Sequence, residues 1–473
     1  MKDLLVMKFG GTSMGSAERI RVAAELVAKE RKARPVLVVV SAMSKVTDML
    51  LDTLRHAEAG DQAGLEANLQ KLRERHVQTC NDLLPPERRE PALAGIERLL
   101  ADFERIAGGI RLLGERPPRS VDEALAVGER LAALLMATYL DSSGISAKDV
   151  NAAGVIVTDA VFGNANPQMA PTRRKAHERL VPLLKAGVTP IVTGFNGATT
   201  DGRPTTLGRG GSDFSASILA AALDAAELWI WTDVDGIMTA DPRLVPEAKV
   251  LDEVTYAEAA ELAYNGAKVL HPRTLAPLVQ KKIPVWSKNS FNLAAPGTRI
   301  VPKLEKPSGG ARAVTSMANV VLISMEPGDG ELSGSKVMAR ALEALSEARA
   351  EVLAFTSSSY RQSFCFLIRR DEFTPAMSRL EEDFALELAY GHLKPIEVDE
   401  DVGLLAVVGE GMRGAQGLAA RIFTAISREN INIIAIAQGS SELTISVVIR
   451  KGDLERAVRA VHRECHLEQE ARS

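Results

Sequence analysis

The sequence predicts an α/β domain of about 300 residues followed by two small βαβ-type repeats. Continuous β-branched runs, such as residues 35–40, read as strands buried on both faces of a parallel sheet. Glycine-rich turns stand between such runs and the helices after them, at residues 8–13 and again at 205–213. Beyond residue 319 the order strand, glycine loop, helix, strand, hairpin occurs twice, over 319–369 and 403–450, at an offset of about 81 residues. In that register Leu342 matches Phe423, Leu345 matches Ile426, Val352 matches Ile433 and Phe364 matches Ile445, positions expected to fill one core in each copy.

Taken in order, the chain opens with an apolar strand that runs into Lys8-Phe9-Gly10-Gly11-Thr12-Ser13. Ser16 or Ser13 can cap the helix that follows to about residue 31, with Ile20, Ala23, Ala24 and Val27 as its apolar face. The strand at 35–40 ends in the polar loop 41–47, at the carboxyl end where α/β sheets place ligand groups. Residues 48–113 read as a charged helical insertion, interrupted at Leu84-Pro85-Pro86. A capping box of Ser120 and Glu123 is expected to open the next helix, which carries Gly128-Glu129-Arg130 in apolar surroundings. Strands are expected at 150–159 and 188–195, with a helix near 177–184 between them and a hairpin turn at 199–203. The second glycine stretch, 205–213, precedes an alanine-rich helix to about residue 223. A strand over 227–232, a helix from Tyr256 to near Gly266, and a strand at 284–287 complete the domain near residue 301. Residues 303–311, rich in Lys, Pro and Gly, read as a linker. The expected division is 1–302 with an insertion at about 48–113, then 303–398 with the linker and first repeat, then 399–473 with the second.

Composition narrows the function. In 473 residues, 46% hydrophobic and 25% charged content is ordinary for a globular protein. The formal charge of −4, with no basic stripe, argues against nucleic acid as a partner. Cys80, Cys365 and Cys465 are far apart and form no CxxC pair, which suits a reducing cytoplasm better than a disulfide framework or a zinc site. No run of about 18 apolar residues marks a membrane span, and the apolar run after Lys2-Asp3 is too short for a signal peptide. A cytoplasmic location with no membrane partner is expected.

Two glycine loops ahead of helices suggest a polyphosphate held from two sides, because glycine lets the backbone approach an anion and helix N-terminal amides point at it. Either string alone also fits a plain N-capped turn. The Walker signature and the protein-kinase motif set are absent, so phosphoryl transfer here needs another architecture. The chemical requirement stays the same: cations and amides around the moving phosphoryl, and a group that orients the acceptor.

Six motifs occur in order: KFGGTS at 8–13, VVSAM…T at 39–47, GE at 128–129, TTLGRGGSD at 205–213, WTDVDGI at 231–237 and GAKVLHPRT at 266–274. Together they closely resemble the aspartokinases of the amino-acid kinase family, and the two repeats look like that family's paired ACT domains. The resemblance implies a three-layer amino-acid-kinase fold with a largely parallel central sheet, followed by two α+β, ferredoxin-like ACT domains. It implies transfer of phosphate from ATP to the side-chain carboxylate of L-aspartate, giving 4-phospho-L-aspartate, the first step towards lysine, threonine and methionine. The stretch at 435–448 is similar to aspartokinases fused to homoserine dehydrogenase; with the sequence ending at Ser473, a kinase without that second enzyme is expected.

A carboxylate acceptor is ionised at neutral pH and needs no general base, so catalysis reduces to positioning and charge neutralisation. By the resemblance, Lys8 stands between nucleotide and acceptor, and Asp213 orders Lys8 and substrate, although its place ahead of a helix also suits an N-cap. Arg209 can take an α-carboxylate through two parallel hydrogen bonds, and Glu129 would pair with the α-ammonium. Ser41, Thr47, Phe195, Gly210 and Ser212 match the rest of the substrate pocket. ATP is assigned to Lys8, Gly10, Gly11, Thr12, Ser13, Thr232, Asp233, Met238, Arg243 and Lys268, with Met238 where relatives often have tyrosine. His271 is expected to pack at a helix end. Magnesium is implied by ATP chemistry, without a nameable protein ligand, held mainly by phosphates and water.

Paired ACT domains imply a homodimer or higher assembly and feedback inhibition by threonine or lysine. Threonine-sensitive relatives carry glutamine at the start of each hairpin; here Gln438 stands in the second copy and Ser357 in the first, both candidate effector contacts. Another amino-acid kinase, or a non-catalytic ACT amino-acid sensor, are the alternative readings. Arg209 with Glu129 favours an amino-acid zwitterion over a nucleotide acceptor, and Lys8, Arg209, Asp213 and Lys268 together argue against a decayed kinase.

Overall fold

The structure, a computed structural model, describes residues 3–267, 270–305, 309–328, 333–359 and 362–468. It divides into two compact units: Met1–Ile237 with Asp252–Tyr256 and Leu270–Lys303, and Met238–Leu251 with Ala257–Val269 and Leu304–Ser473.

The first unit begins with β1 (Leu5–Phe9), α1 (Ala17–Arg31) and β2 (Val36–Val40). The insertion follows as α2 (Val46–Glu58), α3 (Gln62–Leu83) and α4 (Pro86–Leu113), and then α5 (Pro118–Ser142). Next come β3 (Ala147–Val150), β4 (Val157–Thr158), α6 (Met169–Arg179), α7 (Val181–Lys185), β5 (Thr189–Thr193), β6 (Asn196–Thr199) and β7 (Pro204–Thr206). The unit is completed by α8 (Gly211–Ala222), β8 (Glu227–Thr232), β9 (Glu253–Thr255), α10 (Pro272–Lys281), β10 (Val285–Asn289) and β11 (Thr298–Val301); α9 (Tyr256–Tyr264) runs on from β9.

Among the described residues one sheet has eight strands in the order β3-β5-β2-β1-β8-β10-β11-β9, parallel throughout except for the β10–β11 pair. Every residue of β1 and β2 is buried. Leu5, Met7, Phe9, Val36, Val38 and Val40 join one apolar cluster with α1 to α5. The alternate residues Val6, Leu37 and Val39 are buried on the other face, where α8 packs. Two-sided burial explains why these strands carry no polar alternation.

Several local expectations change. Ser16 caps α1, accepting from the Arg19 amide, and the α3–α4 break falls at Leu84-Pro85 as expected. Ser120 and Glu123 form no capping box: α5 starts two residues earlier, at Pro118, because proline at the first helical position is pre-set in φ and has no N–H to satisfy. The single strand expected at 150–159 is two strands, β3 and β4, in different sheets, separated by a 3-10 turn at Ala152–Gly154 that Asn151 caps. The helix near 177–184 is a pair, α6 and α7, meeting at Leu180.

In the second unit, β12 (Ala313–Met317), β13 (Val320–Met325), α11 (Gly334–Glu347), β14 (Ala354–Ser357) and β15 (Phe364–Arg369) are followed by α12 (Phe373–Asp383), α13 (Ala385–Ala389) and β16 (Glu397–Asp399). Then come β17 (Val402–Val408), α14 (Leu418–Arg428), β18 (Ile433–Gln438), β19 (Thr444–Arg450) and α15 (Leu454–Glu464). They form two four-stranded antiparallel sheets, β14-β15-β13-β16 and β12-β17-β19-β18. The repeat is real, but β12 precedes the first copy and pairs with β17 of the second, so a boundary at 398/399 cuts across one sheet. Leu345, Ile426, Phe364 and Ile445 are buried in matching cores, while Leu342 is 42% exposed and Phe423 only partly covered. Leu342 was expected in its core and is exposed instead, whereas Phe423 packs against the core of the second copy from its edge.

Candidate active site

Strand ends and helix starts of the first unit enclose a cavity of about 540 Å³. β1 supplies Lys8 and the turn after it Gly11, the loop after β2 supplies Ser41 to Lys45, and α2 supplies Thr47 and Asp48. Glu129 enters from α5, Phe195 from the turn after β5, and Gly208 to Asp213 from the second glycine loop and the start of α8. Lys8, Asp213, Ser41, Thr47, Glu129, Phe195, Arg209, Gly210 and Ser212 thus line one space.

At its floor the Lys8 ammonium meets the Asp213 carboxylate at 2.6 Å, with both side chains largely shielded. Asp213 lies in the first turn of α8, whose N-cap is Gly210, so it is not the cap residue. Gly210 has φ +68°, and a Cβ there would meet the His271 Cβ at 3.1 Å. His271 itself caps α10, its Nδ1 accepting from the Arg273 amide at 3.3 Å. The bend at Gly210 leaves the Ser212 and Asp213 amides at the free N-terminus of α8, beside the cavity.

Glu129 is 3% exposed. Its Oε1 accepts from the Ala42 amide at 3.2 Å, and its Oε2 has no hydrogen-bond partner among the described residues. Burial pushes its pKa up to about 7, opposed by the Ala42 amide and by the Lys8 charge. Gly128 makes this depth possible, because a Cβ there would stand 2.9 Å from the Ala42 Cβ. A buried carboxylate with a free oxygen facing a cavity is a receptor for a cation. Arg209 is exposed across the same cavity and forms no ion pair among the described residues. A buried carboxyl group and an exposed guanidinium therefore face one cavity. Phe195 holds a left-handed backbone at φ +69°, its carbonyl accepting from the Leu207 amide at 2.8 Å. Such strain at a bulky residue is maintained by its surroundings, here the close packing of Gly211 on the Phe195 ring.

The residues assigned to nucleotide are less uniform. Gly10 is fixed by its amide to the Trp231 carbonyl at 3.1 Å, and Gly11 lies against Ala42. Thr12 is exposed beside them. Ser13 is fully buried, its hydroxyl 2.8 Å from that of Ser290, so its side chain is engaged within the fold. Thr232 ends β8, and its hydroxyl donates to the exposed Asp233 at 3.2 Å. Asp235 is the anchored carboxylate there, taking hydrogen bonds from Asn289 and Asn292. Met238 and Arg243 belong to the second unit, where Arg243 chelates Asp241. Lys268 lies outside the described residues. Among the described residues no group of three or more His, Cys, Asp or Glu could hold a metal.

Sequence reasoning did not single out Lys45, Asp48 or Asp122. Lys45 lines the cavity with φ +63°, a constraint that no pattern in its sequence announces. Asp122 had a visible signal: it is an acidic residue in an apolar helix, a heptad before Glu129.

In the second unit a separate cavity of about 380 Å³ is lined by Ser324, Glu326, Thr356, Ser357, Ser358 and Lys394, among others. Ser357 ends β14 and Gln438 ends β18 in equivalent hairpin positions, opposite Phe364 and Ile445.

A parallel sheet that brings glycine turns, a lysine–aspartate pair and a buried carboxyl group to one cavity at its strand ends is the construction of a small-molecule phosphotransferase. Residues 3–289 match the amino acid kinase family, and residues 405–465 match an ACT domain. Over 98% of its length the chain is 33% identical to the lysine-sensitive aspartokinase 3 of Escherichia coli K12, covering 99% of that protein. The crystal structure of E. coli aspartokinase III in complex with aspartate and ADP superposes with a TM-score of 0.85 at 32% identity, over 98% of this chain and all of that one. The chain is also 37% identical, over 98% of its length, to the chloroplastic bifunctional aspartokinase/homoserine dehydrogenase 1 of Arabidopsis thaliana, and spans about half of that relative's length. It belongs to the amino acid kinase family, in the aspartokinase branch.

Proposed function

We propose that the chain transfers the γ-phosphoryl of ATP to the side-chain carboxylate of L-aspartate. One observation carries this: Glu129 and Arg209 face a single cavity whose floor is the Lys8–Asp213 pair. In that arrangement Glu129 takes the α-ammonium and Arg209 the α-carboxylate, which directs the acceptor carboxylate towards Lys8. The Lys8 ammonium, steadied by Asp213, then neutralises charge on the transferred group. The Gly11 and α8 amides offer anion contacts on either side. Magnesium fits as an ion delivered with the nucleotide, since the Asp213 carboxylate is committed to Lys8 and the described residues form no metal cage. The likeness to a structure holding aspartate and ADP supports the reading.

Regulation by an amino acid through the ACT repeats, and assembly through them as a homodimer or larger, belong to the same proposal. The Ser357 cavity, lined by the hydroxyls of Ser324, Thr356, Ser357 and Ser358 beside a Lys394–Glu326 ion pair at 2.7 Å, is a polar space for an effector such as lysine or threonine. A cytoplasmic setting suits the three free cysteines, and among the described residues no helix is long and apolar enough to cross a membrane.

The test is acyl-phosphate trapping by hydroxylamine with aspartate, with glutamate and with no acceptor. Hydroxamate from aspartate is expected. Hydroxamate from glutamate but not aspartate overturns the acceptor assignment.

A further inference from the structure

Asp122 is 1% exposed, and both of its oxygens are occupied. Oδ2 accepts from the Gly163 amide at 2.8 Å and from the Thr206 amide at 2.9 Å, and Oδ1 accepts from the Thr206 hydroxyl at 2.7 Å. Thr206 is also held by its carbonyl, which accepts from the Ala165 amide at 2.9 Å. Three residues further on stands Arg209, and between them Gly208 has φ +74° and no room for a side chain, since a Cβ would lie 2.5 Å from Asn164. Arg273 braces the other side of the same turn, donating to the Asn164 side chain and to the Ala165 carbonyl.

Asp122 and Glu129 share one face of α5, two turns and about 10 Å apart along its axis. One rigid helix therefore carries the carboxylate that faces the cavity and the carboxylate that grips the root of the Arg209 turn. In any α-amino acid the ammonium and α-carboxylate are a fixed distance apart. Once Glu129 and Arg209 have captured both, the side chain starts from a fixed point. Its reach towards Lys8 then depends on the number of methylenes, each adding roughly 1.5 Å of bond. A misplacement of that size is worth about a hundredfold in rate.

We propose that Asp122 is a positioning residue for acceptor length: by tying Thr206 to α5 it fixes Arg209 relative to Glu129 and so selects aspartate over glutamate. The inference rests on Glu129 and Arg209 being the recognition pair.

The test compares the full-length chain with Asp122→Asn, Thr206→Val and Thr206→Ser, measuring KM for aspartate and for ATP, kcat/KM with aspartate and with glutamate, and Tm. Asp122→Asn is expected to raise the aspartate KM at least tenfold with the ATP KM within twofold, and to lower the aspartate-to-glutamate preference at least tenfold. Thr206→Val, which removes one donor and leaves the backbone bonds, moves the same quantities less, and Thr206→Ser restores them. If Asp122→Asn does not fold, the Thr206 pair decides alone. Unchanged preference in the variants, or aspartate and ATP KM rising together as Tm falls, overturns the proposal. A wild-type chain that forms no aspartyl hydroxamate overturns the recognition pair beneath it; an active wild type with indifferent variants overturns only the role of Asp122.

Discussion

At the scale of single residues, the site depends on charges kept out of water. Lys8→Ala removes the cation at the cavity floor and is expected to lower kcat by roughly 10²- to 10³-fold, with circular dichroism unchanged. Wild-type turnover in this variant refutes the catalytic role. Glu129 makes a sharper prediction through its pKa of about 7. Below that value the empty pocket holds a neutral acid, which cannot pair with an ammonium. The aspartate KM should then rise about tenfold for each pH unit below 7 and level off above it, while the ATP KM stays flat. Glu129→Gln should raise the aspartate KM most above pH 7, converge with the wild type as pH falls, and abolish this slope; a slope that persists in the variant assigns the titration elsewhere. The sign for stability is opposite. The folded state retains a proton that the unfolded chain releases from about pH 4.5, so Glu129 costs stability as pH rises towards 7, and aspartate relieves it. Lys8, Arg209 and Glu129 could be singled out because they stand in motifs that resemble those of the aspartokinases, and the structure brings them to one cavity. Lys45 could not be singled out, since its place on the cavity wall goes with a left-handed backbone angle that its sequence does not announce.

At the scale of elements, what could be read was periodicity, and what could not was partnership. The two-sided burial of β1 and β2 follows from their composition, as does the course of α8. The start of α5 was misplaced because Ser120 and Glu123 satisfy a local rule that Pro118, at the first turn, makes redundant. The split of residues 150–159 was hidden because β3 and β4 pair with different sheets, a choice made by partners far along the chain. The seat of α5 rests on Gly128. Alanine there improves helix propensity by about 1 kcal/mol, yet its methyl would lie 2.9 Å from Ala42 and 3.3 Å from Leu50. Overpacking of this kind costs about 1–3 kcal/mol. Gly128→Ala should therefore lower Tm despite the better helix former, and raise the aspartate KM by moving Glu129 away from the Ala42 amide. A higher Tm with unchanged KM would show that the contact relaxes freely.

At the scale of the whole molecule, a linker at 303–311 invites the view that the chain could be cut at residue 302 into independent parts. The second compact unit argues otherwise, because it contains Met238–Leu251 and Ala257–Val269, both well before that linker. Ala240 and Val245 share an apolar cluster with Leu405, Ile422 and Val458 of the second repeat. The Thr239 hydroxyl lies 3.0 Å from His462 Nε2, and the Leu244 carbonyl accepts from Arg459 at 2.7 Å. The buried Glu258 carboxylate takes the Glu410 amide at 2.8 Å, and Glu261 takes the Thr444 hydroxyl at 2.8 Å. A sequence reading misses these ties because Ala240, Val245 and Glu258 look like ordinary loop and helix residues until segments of the second repeat, far along the chain, cover them. A fragment ending at residue 302 would leave that apolar surface bare and the Glu258 carboxylate without its amide donor, the kind of loss that unfolds a segment rather than merely loosening it. The fragment is expected to aggregate, or to lose amide protection across 238–251 and 257–265 in hydrogen exchange, while β1, β2 and α5 remain protected. Its Tm should fall below that of the full chain by several degrees, and addition of the separately expressed remainder should restore protection. A fragment with the full-length Tm and intact protection in both segments would show that the first 302 residues fold by themselves.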